Sequence, residues 1–92
     1  MYAIIRTNQF KRDWKRCERR GFPMGELRRV ILLLAETGTL PPEYRPHKLT
    51  GNREGEWECH IRPDWLLVWE QNDRELTLLM LNTGTHSDIF KK

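Results

Sequence analysis

The stretch "EWECHIRPDWLLVWEQNDRELTLLMLN", residues 56–82, decides the fold. In its first part Trp57, Cys59 and Ile61 alternate with Glu58, His60 and Arg62. That period of two belongs to a strand with one buried face. Pro63 breaks the strand. The run "WLLVWE" (65–70) is apolar on both parities, which predicts a central strand. "QNDR" (71–74) reads as a turn, and "ELTLLMLN" (75–82) is again apolar on nearly both parities. Three strands in succession, with no room for a crossover helix between them, predict antiparallel pairing.

Upstream, "YAIIR" (Tyr2–Arg6) is a short run of β-formers and predicts a fourth strand. Thr7 or Asn8 is placed to cap a helix. In that helix Phe10, Trp14 and Cys17 make an apolar stripe opposite a basic face, and Gly21 ends it. Pro23 stands where a second helix can begin. Met24, Leu27, Ile31 and Leu34 recur at helical spacing up to Gly38. "TLPPEYRPHKLTGNREG" (Thr39–Gly55) reads as loop, with three prolines and two glycines. The expected fold class is α+β: strand, helix, helix, then three strands, a small mainly antiparallel sheet packed on a two-helix hairpin. Two helices cover one face only. The other face of the central strands is expected to meet a functional site, a partner, or both.

The 92 residues suit one domain, 1–92. Net charge is +3, but residues 1–36 hold nine basic and four acidic side chains, whereas residues 37–92 hold seven and nine. The basic first part suits either a solvated helix face or contact with a polyanion such as RNA. Cys17 and Cys59 have neither CxxC nor zinc-finger spacing, and no secretory leader is read near the start. The longest strictly apolar run, "VILLLA", is far short of the ~20 residues of a membrane span. The expectation is a reduced, cytoplasmic protein without a membrane partner.

His47, His60, Asp64, Trp65, His86, Asp88 and Phe90 lie beside prolines, glycines or strand ends, where such a sheet would gather them. Singly, each has an ordinary reading: a surface histidine, a turn aspartate, a core tryptophan, a phenylalanine that pins the chain. Together, "HKLTG" (47–51), "WECHIRPDWLLVWE" (57–70) and "TGTHSDIF" (83–90) resemble the YafQ branch of the RelE-type toxins of bacterial toxin–antitoxin systems. The resemblance runs over nearly the whole chain, including the "LPPEYRPHKL" lead-in. It implies a RelE-like fold and a ribosome-dependent endoribonuclease that cuts messenger RNA. It also implies an antitoxin partner that neutralises the enzyme and alone carries it to operator DNA. By motif, it implies His47, His60, Asp64 and His86 as catalytic, and Trp65 and Phe90 as aromatics of the active site. No cofactor is implied.

The residue types suit that chemistry independently. Cleavage through the ribose 2′-OH needs a base, an acid, and positive charge on the phosphate. Histidine can serve as base or acid. His86 is favoured as the acid, with Asp64 or His60 on the base side, and Asp64 can instead orient a histidine. Phe90 can stack on a splayed base. Arg45, Lys48 and Arg62 flank the histidines and can hold phosphate. Two rival readings are a metal site made of the three histidines and an aspartate, and a gyrase-binding toxin of the ParE type. The chain departs from many relatives at Asn82, where they carry arginine, and also at Trp69 and Pro46. At Asn82 a phosphate-gripping cation is missing, unless Arg62, Lys91, Lys92 or another basic residue supplies it.

Overall fold

The computed structural model describes residues 1–90. Lys91 and Lys92, raised above as phosphate contacts, lie outside the described residues. The elements are β1 (Ala3–Arg6), α1 (Asn8–Arg19), α2 (Met24–Thr37), β2 (His47–Lys48), β3 (Trp57–Arg62), β4 (Trp65–Asn72), β5 (Thr77–Gly84) and α3 (His86–Ile89). One sheet runs in the order β1-β5-β4-β3-β2. β1 pairs parallel with β5, and the other pairs are antiparallel.

Local chemistry sets the helix ends. The Thr7 hydroxyl accepts the Phe10 amide at 3.0 Å, so Thr7 is the N-cap of α1. Gly38 ends α2 with φ 75°, and a Cβ there would fall 2.5 Å from the Tyr2 hydroxyl. Only glycine fits both demands. The two helices close one face of the sheet. Phe10 and Cys17 of α1, with Leu27, Val30 and Leu34 of α2, pack against Cys59, Leu67, Trp69, Leu78 and Met80. Each leucine so buried contributes roughly 1.5–3 kcal/mol.

Within the apolar stripe of α1, at the turn between Phe10 and Cys17, lies a buried carboxylate, Asp13. It accepts hydrogen bonds from the Thr83 amide at 3.2 Å, Gln9 at 2.8 Å and Arg16 at 3.1 Å. The Thr83 bond fastens α1 to the end of β5, just before α3.

The register lays polar groups in rows on the opposite face. His47, Glu58, Val68 and Asn82 pair in sequence across β2, β3, β4 and β5, and His60, Leu66 and Gly84 form the next row. Leu66 and Val68 are fully buried although they point away from the helices. The segment between β2 and β3 folds over this face. Glu54 and Gly55 line a hollow with Ile5, Glu70 and Leu79, and Arg53 bonds to Asn82.

One local expectation is corrected. His47 and Lys48 are not loop but a two-residue strand, held by pairing with β3. The "THSDIF" segment after β5 has a structure of its own. Thr85 caps a single helical turn through a reciprocal capping box with Asp88. Gly84, at φ 150°, lets that turn close, since a Cβ there would meet the Asp88 carboxylate at 2.8 Å.

Candidate active site

α3 starts at His86, and its first turn sets the centre of the site. The His86 backbone N–H donates to Asp64 Oδ1 at 2.9 Å, and the His86 Nδ1 lies 2.6 Å from the same oxygen. Asp64 sits in the tight turn between β3 and β4, so the pair joins two separate parts of the chain. The His86 amide, and then the His86 ring, hold the Asp64 carboxyl below its ordinary value. With Nδ1 donating to a carboxylate, Nε2 of His86 is left to face solvent or substrate. Both side chains are accessible, at 51% and 66%.

A file of rings runs from this pair across the face. His86 and His60 have centroids 5.8 Å apart, and His60 and His47 are 6.2 Å apart and stacked. Beneath the file lies Glu58, only 5% exposed. Its Oε1 is 3.1 Å from His47 Nε2 and 3.8 Å from His60 Nε2. The other nitrogens of these rings meet backbone carbonyls, His47 at Arg45 (2.9 Å) and His60 at Pro63 (3.3 Å). The His47 ring is therefore held at both ends, whereas His60 is held at Nδ1 and its Nε2 stands beyond hydrogen-bond length from Glu58. Phe90 closes the row on the far side of His86, at 6.4 Å between centroids. Asp88 points away from the rings. Burial pushes its carboxyl up, but the Arg20 guanidinium and the Thr85 amide and hydroxyl outweigh that and hold it down at about 2.

The profile of the family described as "Bacterial toxin of type II toxin-antitoxin system, YafQ" matches residues 2–91. This chain belongs to the YafQ toxin family. The mRNA interferase toxin YafQ of Escherichia coli K12 is 33% identical over 85 residues, 91% of this chain and 90% of its own length. YafQ in the E. coli DinJ–YafQ complex superimposes with TM-score 0.86 at 32% identity, covering 98% of this chain and 99% of that one. A metal-bound toxin from Helicobacter pylori superimposes with TM-score 0.88 at 36% identity, over 98% of this chain and all of that one.

On this YafQ-family scaffold the four residues implied as catalytic, His47, His60, Asp64 and His86, lie along one face. Of the expected RNA contacts, Phe90 joins them and is 37% exposed. Trp65 is corrected. It is 2% exposed, its indole N–H donates to the Thr83 hydroxyl at 3.0 Å, and its ring packs edge-on against Phe22. Buried in this way it supports the Asp64 turn and cannot stack on RNA. Arg62 pairs with Glu26 on α2, its Nε and Nη2 at 2.9 and 2.6 Å, and both side chains stay exposed. Lys48 follows Trp57 to the helix side of the sheet, where its ammonium lies 5.6 Å from that ring. Arg45 is exposed in a left-handed turn at the His47 end.

Two residues of the site escaped sequence reading. The sequence puts Glu58 only on the exposed parity of β3, and pairing with His47 is what buries it. Arg53 came from a loop with no periodic signal. Its guanidinium lies 5.8 Å from the Phe90 centroid, Nη2 donates to Asn82 Oδ1, and Nε donates to Glu56 at 2.6 Å.

Proposed function

We propose that this chain is the toxin of a type II toxin–antitoxin pair and an endoribonuclease that cuts messenger RNA on the translating ribosome. The observation that carries the reading is the Asp64–His86 pair facing His60 across 5.8 Å on an open face. Asp64 fixes the His86 tautomer, and the free Nε2 is then able to exchange a proton with substrate. In the reaction the 2′-oxygen bonds to phosphorus and gives its proton to the base. The P–O5′ bond breaks, and the acid protonates the departing 5′-oxygen. The products are a 2′,3′-cyclic phosphate and a free 5′-hydroxyl. His86 serves as the acid and His60 as the base, with His47 and Glu58 keeping His60 in line. Phe90 offers a ring to an unstacked base. As in the E. coli DinJ–YafQ toxin–antitoxin complex, an antitoxin is the expected protein partner. An acidic antitoxin segment complements the basic first part of the chain.

The test is induced expression without an antitoxin. Growth should stop, and primer extension should reveal cuts within translated messages. His86→Ala should abolish both and keep the circular-dichroism spectrum of the parent. Toxicity equal to the parent would remove His86 from the chemistry. Altered DNA supercoiling with intact messages would identify a gyrase poison instead. Cleavage in a purified translation system should survive treatment with a chelator that is then removed. Activity that returns only with added metal would turn the histidine file into a ligand set, a point raised by the metal-bound H. pylori toxin.

A further inference from the structure

Attack on a phosphodiester builds negative charge on the non-bridging oxygens, and a fixed guanidinium is the group best shaped to receive it. The cations around the His86 end are mostly committed elsewhere. Arg62 is gripped by Glu26, Arg20 and Arg16 lean on Asp88 and Asp13, and Lys48 lies on the other side of the sheet. Arg45 stands at the opposite end of the histidine file. Arg53 remains. The 3-10 turn Gly51–Arg53 carries it over the open face, and Glu56 and Asn82 hold two of its three nitrogens. Nη1 takes no partner among the described residues. The guanidinium lies over Phe90, whose ring in turn stands beside His86.

We infer that Arg53 is a catalytic residue, the cation that contacts the scissile phosphate, and that Asn82 and Glu56 position it. Nε and Nη2 are spent on holding the plane of the guanidinium, and the free edge is turned to the anion. This explains why an uncharged residue suffices at position 82. The amide oxygen of Asn82 accepts from Arg53, which an arginine there would not do. The inference rests on the RNA-cleavage reading, and its test separates the two.

Single-turnover cleavage of a reporter message is measured on ribosomes with the parent, Arg53→Ala, Arg53→Lys and His86→Ala, each released from its antitoxin complex. Arg53→Ala should lower the rate roughly 10²-fold, the usual cost of losing one such donor. The loss should fall on the rate at saturation more than on the half-saturating concentration. Added guanidinium ion should restore part of it, and the double variant Arg53→Asn with Asn82→Arg should restore more. Arg53→Lys should lie between parent and alanine. Parent-like cutting by Arg53→Ala while His86→Ala is inactive would overturn the inference and leave the enzyme reading intact. A rate loss that neither guanidinium nor the double variant relieves, with a lowered thermal midpoint, would make Arg53 a loop anchor and also overturn it. Parent-like cutting by His86→Ala would overturn the cleavage mechanism itself.

Discussion

The two faces of the sheet are built from the same strands by opposite rules. The helix face joins large apolar side chains, and its one buried carboxylate, Asp13, is met by three separate donor groups as well as Asn82. The open face carries Glu58, His60, His47 and Asn82 in rows around Leu66 and Val68. Its polar groups bond to one another and leave nitrogen atoms facing outward. The apolar packing lies on one side and the proposed chemistry on the other, so substitutions on the two faces should separate folding from activity.

The sharpest break comes from the helix face. Leu67→Ala removes a fully buried side chain and should cost about 2–5 kcal/mol in chemical denaturation. Activity per folded molecule should stay close to that of the parent. A variant that keeps parent stability would show that the face has relaxed around the cavity. On the open side, Asp64→Asn keeps the shape of the turn but removes the charge that fixes His86. Single-turnover cleavage should fall roughly 10²-fold while the thermal midpoint moves little. Equal losses of stability and rate would erase the distinction between the faces.

Asp88 tests the seam between them, because it ties α3 to α1 through Arg20. Asp88→Asn weakens the cap and the ion pair, and should cost about 1 kcal/mol. The folded carboxyl is held down at about 2 against an ordinary 3.8. The wild-type advantage is therefore present above about pH 4 and is lost as pH falls through about 2. The gap between the two proteins in acid denaturation should close over that window. A gap that persists below it would point to lost packing instead of lost charge. The smallest effect is expected at Cys59. Burial, then the neighbouring Glu58, pushes its thiol up to about 12. Thiol reagents at neutral pH should leave it unmodified and activity unchanged until the protein is unfolded. Rapid labelling of the native protein would mean that β3 opens.

Much of this architecture is legible in the residues. The alternation through Trp57, Cys59 and Ile61, and the apolar run from Trp65 to Trp69, give β3 and β4 because period and burial are local properties. Thr7 and Gly38 mark helix ends by capping chemistry that acts within a few residues. β2 was hidden, since two residues have no period and only pairing with β3 makes them a strand. The turn at His86 was readable in principle, because Thr85 and Asp88 have capping-box spacing. Asp13 also left a signal, a carboxylate three residues after Phe10 within an apolar stripe. Resemblance assigns Trp65 to a motif, whereas its burial under Phe22 and Thr83 depends on tertiary packing. Arg53 had no local signature at all. Its place depends on how a loop with no periodic pattern lies across a sheet.

The parallel pairing of β1 with β5 has a consequence for the order of events in synthesis. Ala3 waits for Thr77, and the Thr7 hydroxyl for the Met80 carbonyl 73 residues later. Contacts this distant in sequence close late and slowly. Asp64 likewise has no His86 to hold until β5 has emerged and docked. A nascent chain with its first two helices formed therefore carries no assembled dyad. The Asp64–His86 pair is therefore a late product of synthesis, formed only when nearly the whole chain is present to close it.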